Sequence, residues 1–204
     1  MKSLLIYIVT TFLVYAAYGQ HERRMYPSGQ TREEGQLVNR EKEGKWTVYY
    51  PNGTINAIEH YRQGELEGEV TYYFPDGQLQ AVENWKSGLL SDSAVYFFSN
   101  GALEKTGNYS EGLYEGAWHF FHENGQVKRI GHYEAGLPTG DWLFYTEKGV
   151  PLQKGHYKNG LEHGEWIFYN RKGRIEFRGI YSHGEKSGIW YRIGKKGEKE
   201  PIEY

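Results

Sequence analysis

The hydrophobic and polar positions of this chain recur with a 24-residue period. Four segments align without insertion or deletion and read GKWTVYYPNGTI from Gly44, GEVTYYFPDGQL from Gly68, GAWHFFHENGQV from Gly116 and GEWIFYNRKGRI from Gly164. One set of glycines keeps this spacing at Gly29, Gly53, Gly77, Gly101, Gly125, Gly149, Gly173 and Gly197. An aromatic ladder keeps it at Tyr61, Trp85, Tyr109, Tyr133, Tyr157 and Tyr181, and a second glycine set follows that ladder by three residues, from Gly64 to Gly184. A fixed period of this length is typical of repeat architectures, in which each unit packs on the next.

Each unit has the pattern of a β-hairpin. Aromatic and β-branched residues from Lys45 to Tyr50 are followed by Pro51-Asn52-Gly53 and then by a second such run from Ile55 to Tyr61. Glycine suits the turn because a tight hairpin commonly needs a positive φ, and we expect the residue before it to tolerate such geometry. That residue is Asn or Asp in four units but lysine at Lys148 and Lys172, so the last two turns are predicted to be weaker.

Isolated hairpins are marginally stable, so successive units must pair edge to edge. We therefore predict an all-β fold, an elongated single array of stacked antiparallel β-hairpins. Residues 20–43 keep a turn at Tyr26-Pro27-Ser28-Gly29 and then become rich in charge, which predicts a degenerate N-terminal capping repeat. Residues 44–187 form six hairpin repeats, and residues 188–204 form a partial C-terminal repeat or cap.

Residues 1–19 have the features of a secretory signal peptide. Lys2 precedes an apolar stretch that begins at Leu4, and small residues follow at Ala17 and Gly19. The stretch is shorter than the roughly 20 residues of a membrane-spanning helix, so cleavage after Gly19 is favoured over retention as an anchor. The expected location is the periplasm, the outer envelope or the medium. The chain has no cysteine, so no disulfide can stabilise the exported form.

These units resemble the bacterial variant of the MORN repeat. Its units read G-x-W-x-x-Y/F-Y/F-x-x-x-G followed by Y-x-x-G-x-x-x-G, a pattern that spans Gly44 to Gly188 here. The resemblance implies an open hairpin array that serves protein association or membrane-proximal scaffolding, with some relatives labelled antitoxin-like, and it implies no catalytic residues. Val70 and Ala94 stand where other units have tryptophan, and Asp92 replaces the opening glycine, so these two units are expected to pack or curve differently.

Comparison of the copies separates fold positions from candidate binding positions. One ladder is aromatic in every unit and is predicted to pack in the core: Tyr49, Tyr73, Phe97, Phe121, Tyr145 and Tyr169. The next position changes from apolar to polar along the array, as Tyr50, Phe74, Phe98, His122, Thr146 and Asn170. Its first four members, Tyr50, Phe74, Phe98 and His122, are called the drifting stripe below and are the predicted binding patch. The alternative is that these rings are covered by a neighbouring loop or by the first unit.

Composition excludes several functional classes. The formal net charge of −2 gives no clustered positive excess of the kind that nucleic acid requires, so no nucleic-acid partner is expected. His119 and His122 are three residues apart on a strand and so face opposite sides, while His132 and His156 are a whole hairpin apart, which argues against a metal site. Glu65, Glu67 and Glu69 fall at a unit junction without a partner motif. No nucleophile elbow or phosphate-binding loop is present, so we expect neither an enzyme nor a small-molecule cofactor.

The function expected from the sequence is that of an exported scaffold that binds another protein at the cell envelope. One alternative is a glycan or cell-wall module in which Trp118, Trp142 and Trp166 stack on sugar rings. Another is contact with a membrane surface through basic C-terminal residues: Arg171, Lys172, Arg174, Arg178, Lys186, Arg192, Lys195, Lys196 and Lys199. A third is the antitoxin-like role of a toxin–antitoxin pair, which requires that the toxin too lie outside the cytoplasm.

Overall fold

Residues 19–203 form one antiparallel sheet of 17 strands. The computed structural model describes residues 19–203, so the predicted signal peptide lies almost wholly outside the described residues. The strands are β1 (Gln20–Met25), β2 (Thr31–Val38), β3 (Glu41–Tyr49), β4 (Ile55–Arg62), β5 (Glu65–Leu66), β6 (Gly68–Tyr73), β7 (Leu79–Lys86), β8 (Leu89–Phe97), β9 (Leu103–Ser110), β10 (Leu113–Phe121), β11 (Val127–Glu134), β12 (Leu137–Tyr145), β13 (Pro151–Lys158), β14 (Leu161–Tyr169), β15 (Ile175–Ser182), β16 (Glu185–Ile193) and β17 (Lys199–Ile202).

The strands follow one another in chain order across the sheet. Each pairs with the strand before and the strand after it, with β4 paired to both β5 and β6, so β1 and β17 are the two edges. This confirms the predicted all-β array of stacked antiparallel hairpins. Within residues 19–203 there is no helix of the length and apolar character needed to cross a membrane.

The turns at Gly53 and its equivalents hold the predicted glycine at positive φ. The Gly53 amide donates to the carbonyl of Tyr50 at 2.9 Å, and the φ of Gly53 is 87°. The expectation for the preceding residue is wrong, since Asn52 is not among the residues with positive φ. Its side chain acts instead: Oδ1 accepts a hydrogen bond from the Thr54 amide at 3.0 Å, as in an Asx turn.

The two turns that contain lysine find another hydrogen-bond acceptor. The hydroxyl of Thr146 accepts from the amides of Lys148 and Val150 at 3.3 and 3.1 Å. In the next unit Oδ1 of Asn170 accepts from the amides of Lys172 and Arg174 at 2.9 and 3.2 Å. In both turns the side chain two residues before the lysine accepts these hydrogen bonds. It takes the place of the Asn or Asp side chain that the other turns have at the lysine position.

Successive units are joined by two-residue turns. Gln63 and Gly64 both have positive φ, 51° and 82°, as a type I′ hairpin turn requires. The same pair of angles recurs at each later closing glycine. In the first such turn the glycine is replaced by Arg40, which still adopts a φ of 70°. The chain is thus a continuous meander with two kinds of tight turn per repeat.

Residues 20–43 form a complete hairpin and not a turn alone. β1 pairs with β2 along its whole length, from Gln20 opposite Leu37 to Arg24 opposite Glu33. The Tyr26 hydroxyl donates to the carbonyl of Tyr49 at 2.7 Å and ties this first turn to the next. Strand pairing is a backbone interaction, so a charge-rich sequence does not prevent it.

The core lies on one face of the sheet, called the tryptophan face below. It is built from one position per unit, and the residues there are 0–2% exposed: Trp46, Val70, Ala94, Trp118, Trp142, Trp166 and Trp190. The Tyr61 ladder packs edge-on against these rings, as in the contact of Tyr133 with Trp142, whose ring centres are 5.1 Å apart. The Tyr49 ladder, three residues beyond each core position, lies on the opposite face and is only half-buried, so the deepest core was assigned to the wrong ladder.

Candidate binding site

Each core tryptophan lies over a glycine of the preceding strand. A Cβ added to Gly131 would lie 2.1 Å from the ring of Trp142, and one added to Gly155 would lie 2.1 Å from the ring of Trp166. The same close approach occurs at Gly35, Gly107 and Gly179. In every pair the glycine precedes its tryptophan by 11 residues. The large indole is therefore accommodated because its neighbour has no side chain.

Two units replace this pair with a different one. Glu59 occupies the glycine position before Val70, and Glu83 occupies it before Ala94. A smaller core residue makes room where the glycine acquires a side chain. The exchange places carboxylates on the tryptophan face at β4 and β7, in the two units that the sequence marks as divergent.

A third carboxylate on this face, that of Glu33, forms ion pairs with basic side chains. Glu33 is 8% exposed, and its oxygens accept hydrogen bonds from Lys42 at 2.7 Å and from Arg24 at 3.0 Å. Burial acts to raise the pKa of Glu33, but the hydrogen bonds from Lys42 and Arg24 outweigh it, and the pKa lies below its usual value. The Lys42 ammonium also lies 4.4 Å from the centre of the Trp46 ring, a cation–π geometry.

Glu83 is equally buried but has no such cation. It is 9% exposed, and it accepts hydrogen bonds from the Tyr96 hydroxyl at 2.7 Å and the Trp85 indole N–H at 3.1 Å. Within residues 19–203 no basic side chain forms an ion pair with it. Both of its hydrogen-bond partners are neutral groups, so Glu83 lacks the paired cations that Glu33 has.

An open hollow of about 460 Å³ lies beside Glu83. Its walls include the side chains of Tyr72, Phe74, Tyr96 and Phe98. Burial and the nearby Glu83 carboxylate raise the pKa values of the Tyr72 and Tyr96 hydroxyls well above the usual range, so both stay protonated as hydrogen-bond donors. The hollow thus combines aromatic faces, phenol donors and negative charge.

The structure divides the drifting stripe into two pairs. The Tyr50 hydroxyl donates to the Tyr73 carbonyl at 2.8 Å, and Nε2 of His122 donates to the Tyr145 carbonyl at 3.0 Å, so both fasten one unit to the next. Phe74 and Phe98 instead line the hollow. The stripe remains a prediction as a binding patch, and its two phenylalanines line the hollow that Glu83 also lines.

Sequence reasoning missed Glu59 and Glu83. Both stand in the 24-residue frame at positions that are glycine in Gly107, Gly131, Gly155 and Gly179. The signal in the sequence is that glutamate replaces glycine at this repeat position in two units. Each of these glutamates stands 11 residues before a position where tryptophan is also replaced.

Other predicted residues lie elsewhere. Trp118, Trp142 and Trp166 are 0, 2 and 2% exposed, so their rings are not free to stack on a sugar. Of the basic C-terminal residues, four line a second hollow of about 720 Å³: Arg171, Lys172, Arg174 and Lys195. In the described part of the chain no three His, Asp or Glu side chains are grouped to hold a metal ion.

The repeat geometry has a match among known protein families. The family model described as the MORN repeat variant matches residues 42–63, 66–87, 114–135 and 138–159. These four segments are similar to MORN repeats. Each matched segment begins within or just before a strand that carries a core residue and ends near the following two-residue turn. The unmatched stretch between the second and third matched segments contains Asp92 and Ala94, where the glycine and tryptophan of the pattern are replaced.

No curated protein sequence matches the chain. Solved structures similar to it include a GtfA/B complex bound to UDP and GlcNAc, with 15% identity over 52% of this chain and 21% of that one and a TM-score of 0.24. They also include the Tc holotoxin pore of Photorhabdus luminescens, with 11% identity over 84% of this chain and 12% of that one and a TM-score of 0.23. The chain therefore spans 12–21% of the length of these structures.

Proposed function

We propose that this chain is an exported, non-enzymatic scaffold that binds another protein at the cell envelope. The observation that carries the proposal is the hollow that Phe74 and Phe98 line together with the buried Glu83, a carboxylate that has no paired cation among residues 19–203. Exposed aromatic anchors are typical of the centre of a protein interface. The MORN repeats suit this role because a stacked array presents an extended surface.

Export is part of the same proposal. Cleavage after Gly19 would leave Gln20 as the first residue, and Gln20 is also the first residue of β1. Removal of residues 1–19 would thus leave the sheet intact. The intact mass of protein recovered from the envelope or medium tests this, since any product that retains residues 1–19 argues against cleavage.

The binding proposal is tested with the full chain, expressed with its own N-terminal segment and a C-terminal tag. A partner captured from the envelope is purified, and its affinity is measured by calorimetry for the parent and for a Phe74→Ser, Phe98→Ser double variant. We expect the double variant to bind at least tenfold more weakly, because both rings line the hollow. A matched control replaces Leu137 and Leu161, which are 51 and 47% exposed on other strands, by serine.

Both variants must retain the β-sheet circular dichroism of the parent. Equal affinity for the parent and the folded phenylalanine variant, or an equal loss in the leucine variant, would remove the hollow as the binding site.

Contact with an anionic membrane surface is the second candidate. It is favoured by the grouping of Arg171, Lys172, Arg174 and Lys195 around one hollow. Co-sedimentation with phosphatidylserine vesicles that weakens with added salt and is lost when the first three are changed to glutamate would support it. Sugar stacking by Trp118, Trp142 and Trp166 has no such support, since these rings are buried.

A further inference from the structure

The tryptophan face holds lysine ammonium groups over aromatic rings. Lys42 Nζ lies 4.4 Å from the centre of the Trp46 ring and 4.5 Å from that of Tyr61, next to Glu33. Lys105 Nζ lies 4.1 Å from the centre of the Tyr96 ring and donates to the Tyr114 hydroxyl at 2.9 Å. A ring face and a nearby oxygen acceptor therefore form a recurring ammonium site on this face.

One repeat before the Lys105 site, the tyrosine ring is kept as Tyr72 but the lysine is not. Ala81 lies one repeat before Lys105, and it pairs with Tyr72 just as Lys105 pairs with Tyr96. Ala57, on the other side of Tyr72, is likewise small. Ala57 and Ala81 are buried, 1 and 5% exposed, and neither supplies a cation to the Tyr72 ring. The Tyr72 hydroxyl has no hydrogen-bond partner among residues 19–203.

Two carboxylates line the hollow, and the Lys105 ammonium lies against the Tyr96 ring. Glu83 is buried without a cation, and Glu104 also lines the hollow. The two lysines described above already have partners. Lys42 donates to Glu33, and Lys105 contacts the Tyr96 ring and donates to the Tyr114 hydroxyl. A cation that entered the hollow would meet a ring face, a phenol oxygen and a carboxylate, which is the set that surrounds Lys42.

We propose that the hollow bounded by Tyr72, Glu83, Tyr96 and Phe98 is a socket for the cationic side chain of a lysine on a partner protein. The inference rests on the proposed scaffold function and specifies the chemistry that the partner must present. A lysine fits because its apolar stem can lie along Phe74 and Phe98 while its ammonium reaches the carboxylate. The cost of desolvating the ammonium is offset here, because the Glu83 carboxylate is already buried and accepts an ion pair.

The socket is tested on the full chain with a defined probe. The probe is a blocked pentapeptide, acetyl-Gly-Gly-Lys-Gly-Gly-amide, and its counterpart has norleucine in place of lysine. Binding is followed through the indole N–H resonance of Trp85, because that group donates to Glu83. We expect a saturable shift with the lysine peptide and a response at least tenfold weaker with the norleucine peptide.

Three variants locate the site. Glu83→Gln should weaken binding of the lysine peptide at least tenfold, whereas Glu33→Gln, a carboxylate of equal burial that already has Lys42, should leave it unchanged. Ala81→Lys should abolish binding and raise the midpoint of urea unfolding, because the new ammonium fills the socket from within. This last variant keeps the test decisive if Glu83→Gln fails to fold.

The opposite results are equally clear. An equal response to both peptides, or binding that survives Ala81→Lys, would overturn the socket while leaving the partner measurements of the scaffold proposal untouched. Concentration-dependent dimers in sedimentation that disappear with Glu83→Gln would assign the socket to a second copy of this chain and overturn the proposal of a foreign partner.

Discussion

Glu33 and Glu83 are the same kind of side chain, buried to the same extent, 8 and 9% exposed, on the same face. Their surroundings differ in one respect. Glu33 has Lys42, Arg24 and Arg32 within hydrogen-bond distance, and Glu83 has a tyrosine and a tryptophan. The first arrangement stabilises the fold, and the second leaves a charge that a ligand can neutralise.

The depressed pKa of Glu33 predicts a pH dependence of stability. Its contribution is fully present above the unfolded-state value of 4.5 and is lost as the pH falls through the lower folded-state value. We expect Glu33→Gln to reduce the free energy of unfolding at pH 7 by roughly 1–3 kcal/mol. The gap between parent and variant should close towards pH 3, because the parent then loses the same charge. Urea unfolding between pH 3 and pH 7 measures it.

Glu123→Gln is the control for that series, since this glutamate is exposed in a turn. Its stability should follow the parent at every pH. A gap between parent and Glu33→Gln that stays constant down to pH 3 would show that the ionised carboxylate of Glu33 does not stabilise the fold.

Between neighbouring strands, the unit of packing is the glycine–tryptophan pair. Gly131 on β11 and Trp142 on β12 pack so closely that neither position can change size alone. The same rule explains why Glu59 accompanies Val70 and Glu83 accompanies Ala94. The side chain of Glu83 thus fits on the tryptophan face because both members of the pair are exchanged at once.

A double-mutant cycle on this pair should show strong coupling. Gly131→Ala places a methyl group against the Trp142 ring and should destabilise the protein by about 1–3 kcal/mol. In a Trp142→Val background the same change should cost less than about 0.5 kcal/mol, because valine leaves room for it. Chemical unfolding of the four proteins gives the coupling free energy. Additive effects would contradict the pairing.

In the whole molecule each strand packs chiefly against the strands before and after it in the chain. Stability in such an array is a sum of unit and nearest-neighbour terms, so damage at one end need not reach the other. In the described part of the array, the packing of each strand therefore depends mainly on its two neighbours. The segment from β6 to β9 can have different core residues while its turns keep the 24-residue spacing.

Hydrogen exchange should reveal this local behaviour. Trp190→Ala removes a buried ring at the C-terminal end and should speed amide exchange in β15, β16 and β17. Protection in β3 to β8 should stay as in the parent. Trp118→Ala, the matched change at the centre, should instead expose β9 to β11. A uniform loss of protection in the Trp190 variant would mean that the sheet unfolds as one cooperative unit.

The sequence alone determined the repeat frame, the hairpins and the turn glycines, because a turn depends on the φ angles of its own residues. It also indicated the aromatic ladders and two divergent units. Only the tertiary structure decided that Trp46 and its equivalents, rather than the Tyr49 ladder, form the deepest core, since burial depends on the facing strand. It alone showed that residues 20–43 make a full hairpin, because backbone pairing tolerates charge. The position of Glu83 beside Phe74 and Phe98 likewise required the register of β6 to β9, which brings distant residues onto one face.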